Sequence, residues 1–170
     1  MLKIINTLKP FFEDSYRRIN VREYARMINI TPPTASKLLG DYKKEGLLKK
    51  EEDRQYLYYF ANKESGLFID LSRIYWKYKF ENTGLIHFFE KTYLNPLIVL
   101  FGSCAKAEAK SDSDVDIALF STTKKDISLQ KFEKKLNRTI HLFVFKGKRD
   151  INSKELLNNI LNGYIVRGHW

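Results

Sequence analysis

Residues 95–120 read NPLIVLFGSCAKAEAKSDSDVDIALF. Residues 96–101 form a continuous apolar run of strand length, as expected of a strand covered on both faces. Gly102-Ser103 breaks the run, and residues 104–110 are rich in helix formers. A strand that ends in Gly-Ser at a helix start offers backbone N–H groups and a hydroxyl to an anion. Lys106 adds a positive charge nearby. A second strand is expected over 114–120. Its alternation puts Asp114, Asp116 and Ala118 on one face and Val115, Ile117 and Leu119 on the other. Two carboxylates at i and i+2 on one face repel each other unless a cation lies between them. A hard dication that takes oxygen ligands, such as Mg2+, would resolve the repulsion, and a nucleoside triphosphate would supply the remaining oxygens; a solvated strand edge is the other reading of an Asp-X-Asp.

Downstream, Leu129, Phe132 and Leu136 mark an amphipathic crossover helix, and residues 139–145 (TIHLFVF) read as the next strand. Asn152 and Glu155 form a capping-box pattern ahead of Leu156, Leu157, Ile160 and Leu161. Gly163 closes that helix, and 164–166 adds a last short strand. Lys146, Lys148 and Arg149 form a basic loop. Cys104 is the single cysteine, so neither an internal disulfide nor a cysteine-rich zinc site can form. Its surroundings suggest a small packed residue.

The N-terminal part follows a different pattern. Leu2, Ile4, Ile5, Leu8, Phe11 and Phe12 recur at helical spacing, although Pro10 interrupts the second half. Asn20 is placed to cap a helix over 21–27, with Glu23 three residues on as in a capping box. Thr31 before Pro32 starts another helix, with a hydroxyl at the cap and proline where no N–H is needed. That helix runs to about residue 45 and stops at Gly46. Ala35, Leu38, Leu39 and Tyr42 are its core side. The sequence LLKKEEDRQYLYYF then predicts a short strand, a charged turn at 51–54 and an aromatic strand.

Between these parts, Leu67, Phe68, Leu71, Ile74, Tyr75 and Tyr78 read as a helical stripe with Trp76 beside it. A further helix after Asn82-Thr83-Gly84 would bury Leu85, Ile86, Phe89 and Tyr93. His87 reads as a core or surface-edge residue. The expected organisation is therefore a domain over 1–62, a helical connector over 63–84 and a second domain over 85–170.

The charge divides along the same lines. The whole chain carries 30 Lys/Arg against 20 Asp/Glu, a net +10. Residues 1–62 hold 12 basic and 8 acidic side chains, residues 63–90 hold 4 and 4, and residues 91–170 hold 14 and 8. The basic excess favours a polyanionic partner. No apolar run approaches the ~18 residues of a membrane span, so a cytoplasmic protein with no membrane role is expected.

Two resemblances follow from these residues. At TPPTASKLLGDYKKEGLLKK the chain resembles winged helix-turn-helix regulators. The resemblance implies DNA binding, with the second helix of the pair in the major groove and the hairpin on backbone or minor groove. Pro33, Thr34, Ser36 and Lys37 would then face bases or phosphates, and Arg54 would lie on the wing. Glu51, Glu52 and Asp53 on that wing would repel phosphate. A helical and hairpin module for protein contacts or dimerisation is the other reading, and a homodimer is consistent with either.

Gly102-Ser103 followed by Ser113-Asp114-Val115-Asp116 resembles the signature of the nucleotidyltransferase fold of the polymerase-beta superfamily in its minimal form. The resemblance implies an α+β chain: an N-terminal winged helix, then a small mixed sheet with flanking helices. The order of parts is similar to that of a group of archaeal two-domain proteins. Gly102 and Ser103, with Lys106, would bind the triphosphate, and Asp114 and Asp116 would bind Mg2+. The implied reaction moves a nucleotidyl group onto a hydroxyl and releases pyrophosphate. The family often has Arg where Cys104 and Lys106 stand, and Gly where Ala107 stands.

Active members of the superfamily carry a third carboxylate on the strand that here spans 139–145. His141 stands in that place. Three readings stay open: His141 replaces the base, Asp112 or Asp126 comes in from a loop, or catalysis is slow or absent. The alternative function is thus a winged-helix regulator or antitoxin with a degenerate nucleotidyltransferase domain. Minimal members of the superfamily often act in toxin–antitoxin pairs and adenylylate a partner protein, which would make this protein a neutralising partner of a toxin that also binds its own promoter.

Overall fold

The computed structural model describes residues 2–123 and 125–170. The chain divides into two units. The first holds residues 1–75 and 107–111, and the second holds 76–106 and 112–170.

In the first unit, helix α1 (Leu2–Glu13) runs through Pro10 without ending. Ile5, Leu8, Phe11 and Phe12 on its inner side are each at most 1% exposed, and that burial outweighs the backbone bond proline removes. Ile4 lies partly buried beside them, and the side chain of Leu2 is outside the described residues. Strand β1 (Ile19–Asn20) leads into helix α2 (Val21–Met27). Asn20 caps α2 as expected, its Oδ1 accepting from the Glu23 N–H at 3.0 Å. The reciprocal half of the box is replaced, because the Glu23 carboxylate pairs with Arg17 at 2.6 Å.

Helix α3 (Pro32–Lys44) begins and ends where its sequence signals put it. Thr31 occupies the cap position, but its hydroxyl bonds the Thr34 hydroxyl at 2.9 Å and no backbone N–H. The two prolines that follow have no N–H to offer. Ala35, Leu39 and Tyr42 are buried, and Gly46 leaves the helix at φ +72°. Tyr42 and Tyr24 converge on Thr7: Tyr42 shares a hydroxyl bond with its side chain, and Tyr24 donates to its carbonyl at 2.7 Å.

Strands β2 (Leu48–Asp53) and β3 (Tyr56–Ala61) pair antiparallel, and β1 joins the other edge of β3. The reversal corrects the sequence expectation. Glu51, Glu52 and Asp53 belong to β2, and the turn is Arg54-Gln55, with φ of +47° and +69°. Two left-handed residues make the turn whose twist matches that of the flanking strands. Arg18 reaches Glu51 at 3.3 Å and Asp53 at 3.7 Å, which offsets part of the acidic run.

Helix α4 (Gly66–Thr83) contributes its first ten residues to the first unit and the rest to the second. Its buried line is Phe68, Ser72, Tyr75, Trp76 and Phe80. Leu67 and Tyr78, expected in the stripe, are 56% and 38% exposed. Steps of four and three residues from Phe68 define the inward face, and the predicted stripe mixed that face with its neighbours. Residues 107–111 belong to the first unit, where the Ser15 N–H bonds the Ala109 carbonyl at 2.8 Å.

The second unit is a four-stranded mixed sheet with flanking helices. Helix α5 (Leu85–Tyr93) buries Leu85, Ile86, Phe89 and Tyr93, and His87 is exposed. Strand β4 (Leu97–Phe101), the one-turn helix α6 (Gly102–Ala105), β5 (Val115–Phe120), helix α7 (Gln130–Leu136), β6 (Ile140–Phe145), helix α8 (Lys154–Leu161) and β7 (Tyr164–Arg167) follow. The strand order is β6-β5-β4-β7, with β5 and β6 parallel and the other pairs antiparallel. The parallel pair is joined through the crossover helix α7, as parallel strands require. Val99, Phe101 and Ala118 pack with Ile151 and Ile160 on one side of the sheet.

Two local expectations fail at α8. Ser153, not Asn152, caps it, accepting from the Leu156 N–H at 3.1 Å, and Leu161 is 42% exposed. The apolar face is Leu156, Leu157 and Ile160, and Leu161 lies one step round the helix from it. After α8, Gly163 is fixed by space: a Cβ would sit 2.6 Å from the Leu100 carbonyl and 2.7 Å from Val99 Cγ1.

Candidate functional site

The ends of β4, β5 and β6 bring the expected chemistry together. Phe101, the last residue of β4, stands opposite Asp116 on β5, and Asp116 stands opposite His141 on β6. Gly102 follows at φ +70°, and a Cβ there would overlap the Asp116 carboxylate oxygen. Glycine is therefore needed at 102 for the backbone turn and for the close approach of Asp116.

Asp114 and Asp116 flank one imidazole. His141 Nδ1 lies 3.4 Å from Asp116 Oδ1, and His141 Nε2 lies 3.7 Å from Asp114 Oδ2. The Asp116 side chain is 27% exposed, against 43% for Asp114 and 52% for His141. Burial raises the Asp116 pKa above its ordinary value. His141 opposes that shift by charge and hydrogen bond, and Asp114 adds to it.

The turn before Asp114 differs from expectation. Residues 104–110 are rich in helix formers, a composition that favours a longer helix from Gly102. Helix α6 instead ends at Ala105, and Ala107 takes φ +56°. Ala107 and Ala109 are buried in the first unit, and the Ser15–Ala109 bond draws the segment out of helical path. One turn has little aligned dipole, so an anion here would rely on individual N–H groups and the partly exposed Ser103. Lys106 is exposed, with its ammonium 3.4 Å from Asn159 Oδ1 on α8.

Cys104 is fully buried, and burial pushes its thiol up to about 12. Its Sγ lies 3.6 Å from the Asp114 carbonyl. Asp112 is exposed in the turn ahead of Asp114. Asp126 lies near Tyr93, whose pKa is raised first by burial and then by this charge. The Tyr93 carbonyl accepts from Ser121, at the far end of β5 from Asp116. Of the three alternatives for the third group, His141 is the one standing between the two aspartates.

Sequence reasoning missed Arg138. It is 9% exposed, donates from Nη1 to the Ser113 carbonyl, and places its guanidinium 5.2 Å from the Trp76 ring centre. An arginine between a helix and a strand carries no sequence signal that separates it from a surface arginine. In the first unit, Pro33, Thr34, Ser36 and Lys37 are exposed on the first turns of α3, and Arg54 is exposed in the hairpin turn. Arg22 and Arg26 on α2, also unremarked in the sequence, line a groove with Gln55, Tyr56 and Leu57.

Among the described residues, no group of three or more His, Cys, Asp or Glu side chains is arranged to hold a metal ion. Asp114 and Asp116 supply two hard oxygen donors. That number suits Mg2+ when phosphate oxygens and waters complete the shell. No described helix is long and apolar enough to cross a membrane. No curated protein matches the chain. Residues 84–166 match the family model described as Polymerase beta, Nucleotidyltransferase, so the C-terminal part of the chain is similar to that family.

Proposed function

We propose that this chain is a Mg2+-dependent nucleotidyltransferase joined to a DNA-binding winged helix. The observation that carries the reading is the pair Asp114 and Asp116 on either side of His141, beside the Gly102 turn. Asp114 and Asp116 would hold the cation, which would neutralise charge on the triphosphate. Gly102 and Ser103 would face the phosphates, with Lys106 free to swing in from Asn159. The acceptor hydroxyl oxygen forms a bond to the α-phosphorus, the bond to the β-phosphate oxygen breaks, and pyrophosphate leaves. His141 takes the hydroxyl proton. Nδ1 faces the nearer carboxylate, Asp116, so a proton held there leaves Nε2 as the acceptor.

Thermal melting with Mg2+ and each of the four common ribonucleoside triphosphates tests the site. A raised melting temperature that Asp116→Asn abolishes is expected, and no shift with any of the four would refute nucleotide binding. One observation favours a second reading, a DNA-binding regulator with a weak or inactive transferase domain: an imidazole stands where the superfamily carries a carboxylate. Transfer of labelled nucleotide, lost on Asp114→Asn, would sink that reading.

The DNA-binding part is supported by the exposed first turns of α3 and by Arg22 and Arg26 beside the hairpin. Affinity for duplex DNA should fall steeply with salt, and Lys37→Ala should reduce the salt slope by about one if Lys37 meets a phosphate. An unchanged slope would remove Lys37 from the interface.

A further inference from the structure

Strand β5 begins at Val115, so the ladder holds the peptide that follows Asp114 but not the Ser113–Asp114 peptide that precedes it. The Val115 N–H bonds the Thr139 carbonyl at 2.9 Å, and upstream of that bond side chains take over. Arg138 Nη1 donates to the Ser113 carbonyl, and Cys104 Sγ reaches the Asp114 carbonyl at 3.6 Å. These two carbonyls flank the Asp114 N–H and Cα, so holding both sets the direction in which the Asp114 carboxylate leaves the chain.

Arg138 is itself held at both ends. Its backbone N–H bonds the Glu133 carbonyl at 3.2 Å, just past Asn137, which ends α7 at φ +53°. Its guanidinium lies against Trp76, which is wholly buried. Two residues on, the Ile140 N–H bonds the Glu133 carboxylate at 3.0 Å, so the start of β6 is tied to the same helix. A buried guanidinium held along its length is a rigid donor, unlike the solvated arginines elsewhere on the chain.

We infer that Arg138 is a positioning residue for Asp114: its grip on the Ser113 carbonyl aims the first carboxylate at the cation and triphosphate. The inference rests on the reading of Asp114 as a cation donor. Groups that orient a metal-binding carboxylate typically change metal affinity by about 10–100-fold when removed.

The test uses the full chain and Mn2+ in the presence of ATP, with free and bound Mn2+ measured by electron paramagnetic resonance. Arg138→Met should weaken Mn2+ binding by about 10-fold or more. Arg138→Lys keeps the charge beside Trp76 but loses the planar fork, and should show a smaller loss in the same direction. Melting of each variant without metal gives the structural effect separately. A purely structural role lowers that melting temperature and leaves Mn2+ affinity unchanged in protein still folded at the assay temperature, and this result overturns the inference. If Arg138→Met does not fold, Arg138→Lys decides, and wild-type affinity in it overturns the inference. If the wild-type chain binds no Mn2+ with ATP, the reading of the site falls and this inference with it.

Discussion

Replacing Gly102 with alanine separates backbone strain from a side-chain collision. Gly102 and Gly84 have similar positive φ, +70° and +79°. A Cβ at Gly84 meets nothing within 4 Å, whereas at Gly102 it runs into the Asp116 carboxylate. Gly84→Ala should therefore cost the left-handed penalty alone, about 1–2 kcal/mol. Gly102→Ala should cost that penalty plus displacement of Asp116 away from His141. An aspartate can swing aside, so the added coupling should be about 1 kcal/mol, within the range for residues in contact. The total of about 2–3 kcal/mol corresponds to a drop of roughly 5–10 °C in Tm for a chain of this size. Urea unfolding followed by tryptophan fluorescence reads both variants, since Trp76 is buried in the second unit. In an Asp116→Ala background the excess at Gly102 should vanish and leave the cost seen at Gly84. Equal costs at the two glycines, or an excess that survives without Asp116, would refute the argument.

Asp116→Asn should separate stability from ligand binding. The folded-state pKa of Asp116 is raised above 3.8, mainly by burial. Between 3.8 and the raised value the folded chain holds the proton more tightly, so this group's contribution to stability falls as pH rises through that window. Asp116→Asn should remove that fall and be more stable than wild type at pH 7 while losing its nucleotide response. Equilibrium unfolding from pH 3 to pH 8 checks this, and an asparagine variant less stable at pH 7 would contradict it. Cys104 should resist a disulfide-exchange reagent in the folded chain at pH 8 and react at once in denaturant, because it is buried and its thiol pKa is pushed up to about 12. Rapid labelling of the native chain would show that the residue is accessible.

The sheet around the site was largely legible in the sequence. The apolar run before Gly102 and the TIHLFVF stretch are legible as strands by length and composition, and the alternation after Asp114 also admits only one face assignment, because a slip by one residue would bury a carboxylate or expose the core. Helix ends were legible where a single side chain or glycine decides them, as at Asn20 and Gly46. Legibility failed where several choices were close in energy. Helix α4 carries apolar or aromatic residues on most of its circumference, so periodicity could not single out Phe68, Ser72 and Phe80. Residues 104–110 have helical composition, but one distant backbone bond from Ser15 and the burial of two alanines override it. The hairpin turn contains neither glycine nor asparagine, so the left-handed pair Arg54-Gln55 gave no local signal. Arg138 was invisible because its role depends on Ser113 and Trp76, far away in sequence.

The two aspartates differ in the freedom each has left to lose. Asp116 lies within β5, hydrogen-bonded to β4 on one side and β6 on the other. Its backbone is already ordered, so a ligand that engages it finds most of the conformational entropy spent during folding. Asp114 stands one residue outside the ladder, on a segment held by side chains. Any ligand that needs both carboxylates therefore meets an unequal entropic cost, concentrated at Asp114, and tightening or loosening that one residue changes affinity without touching the sheet.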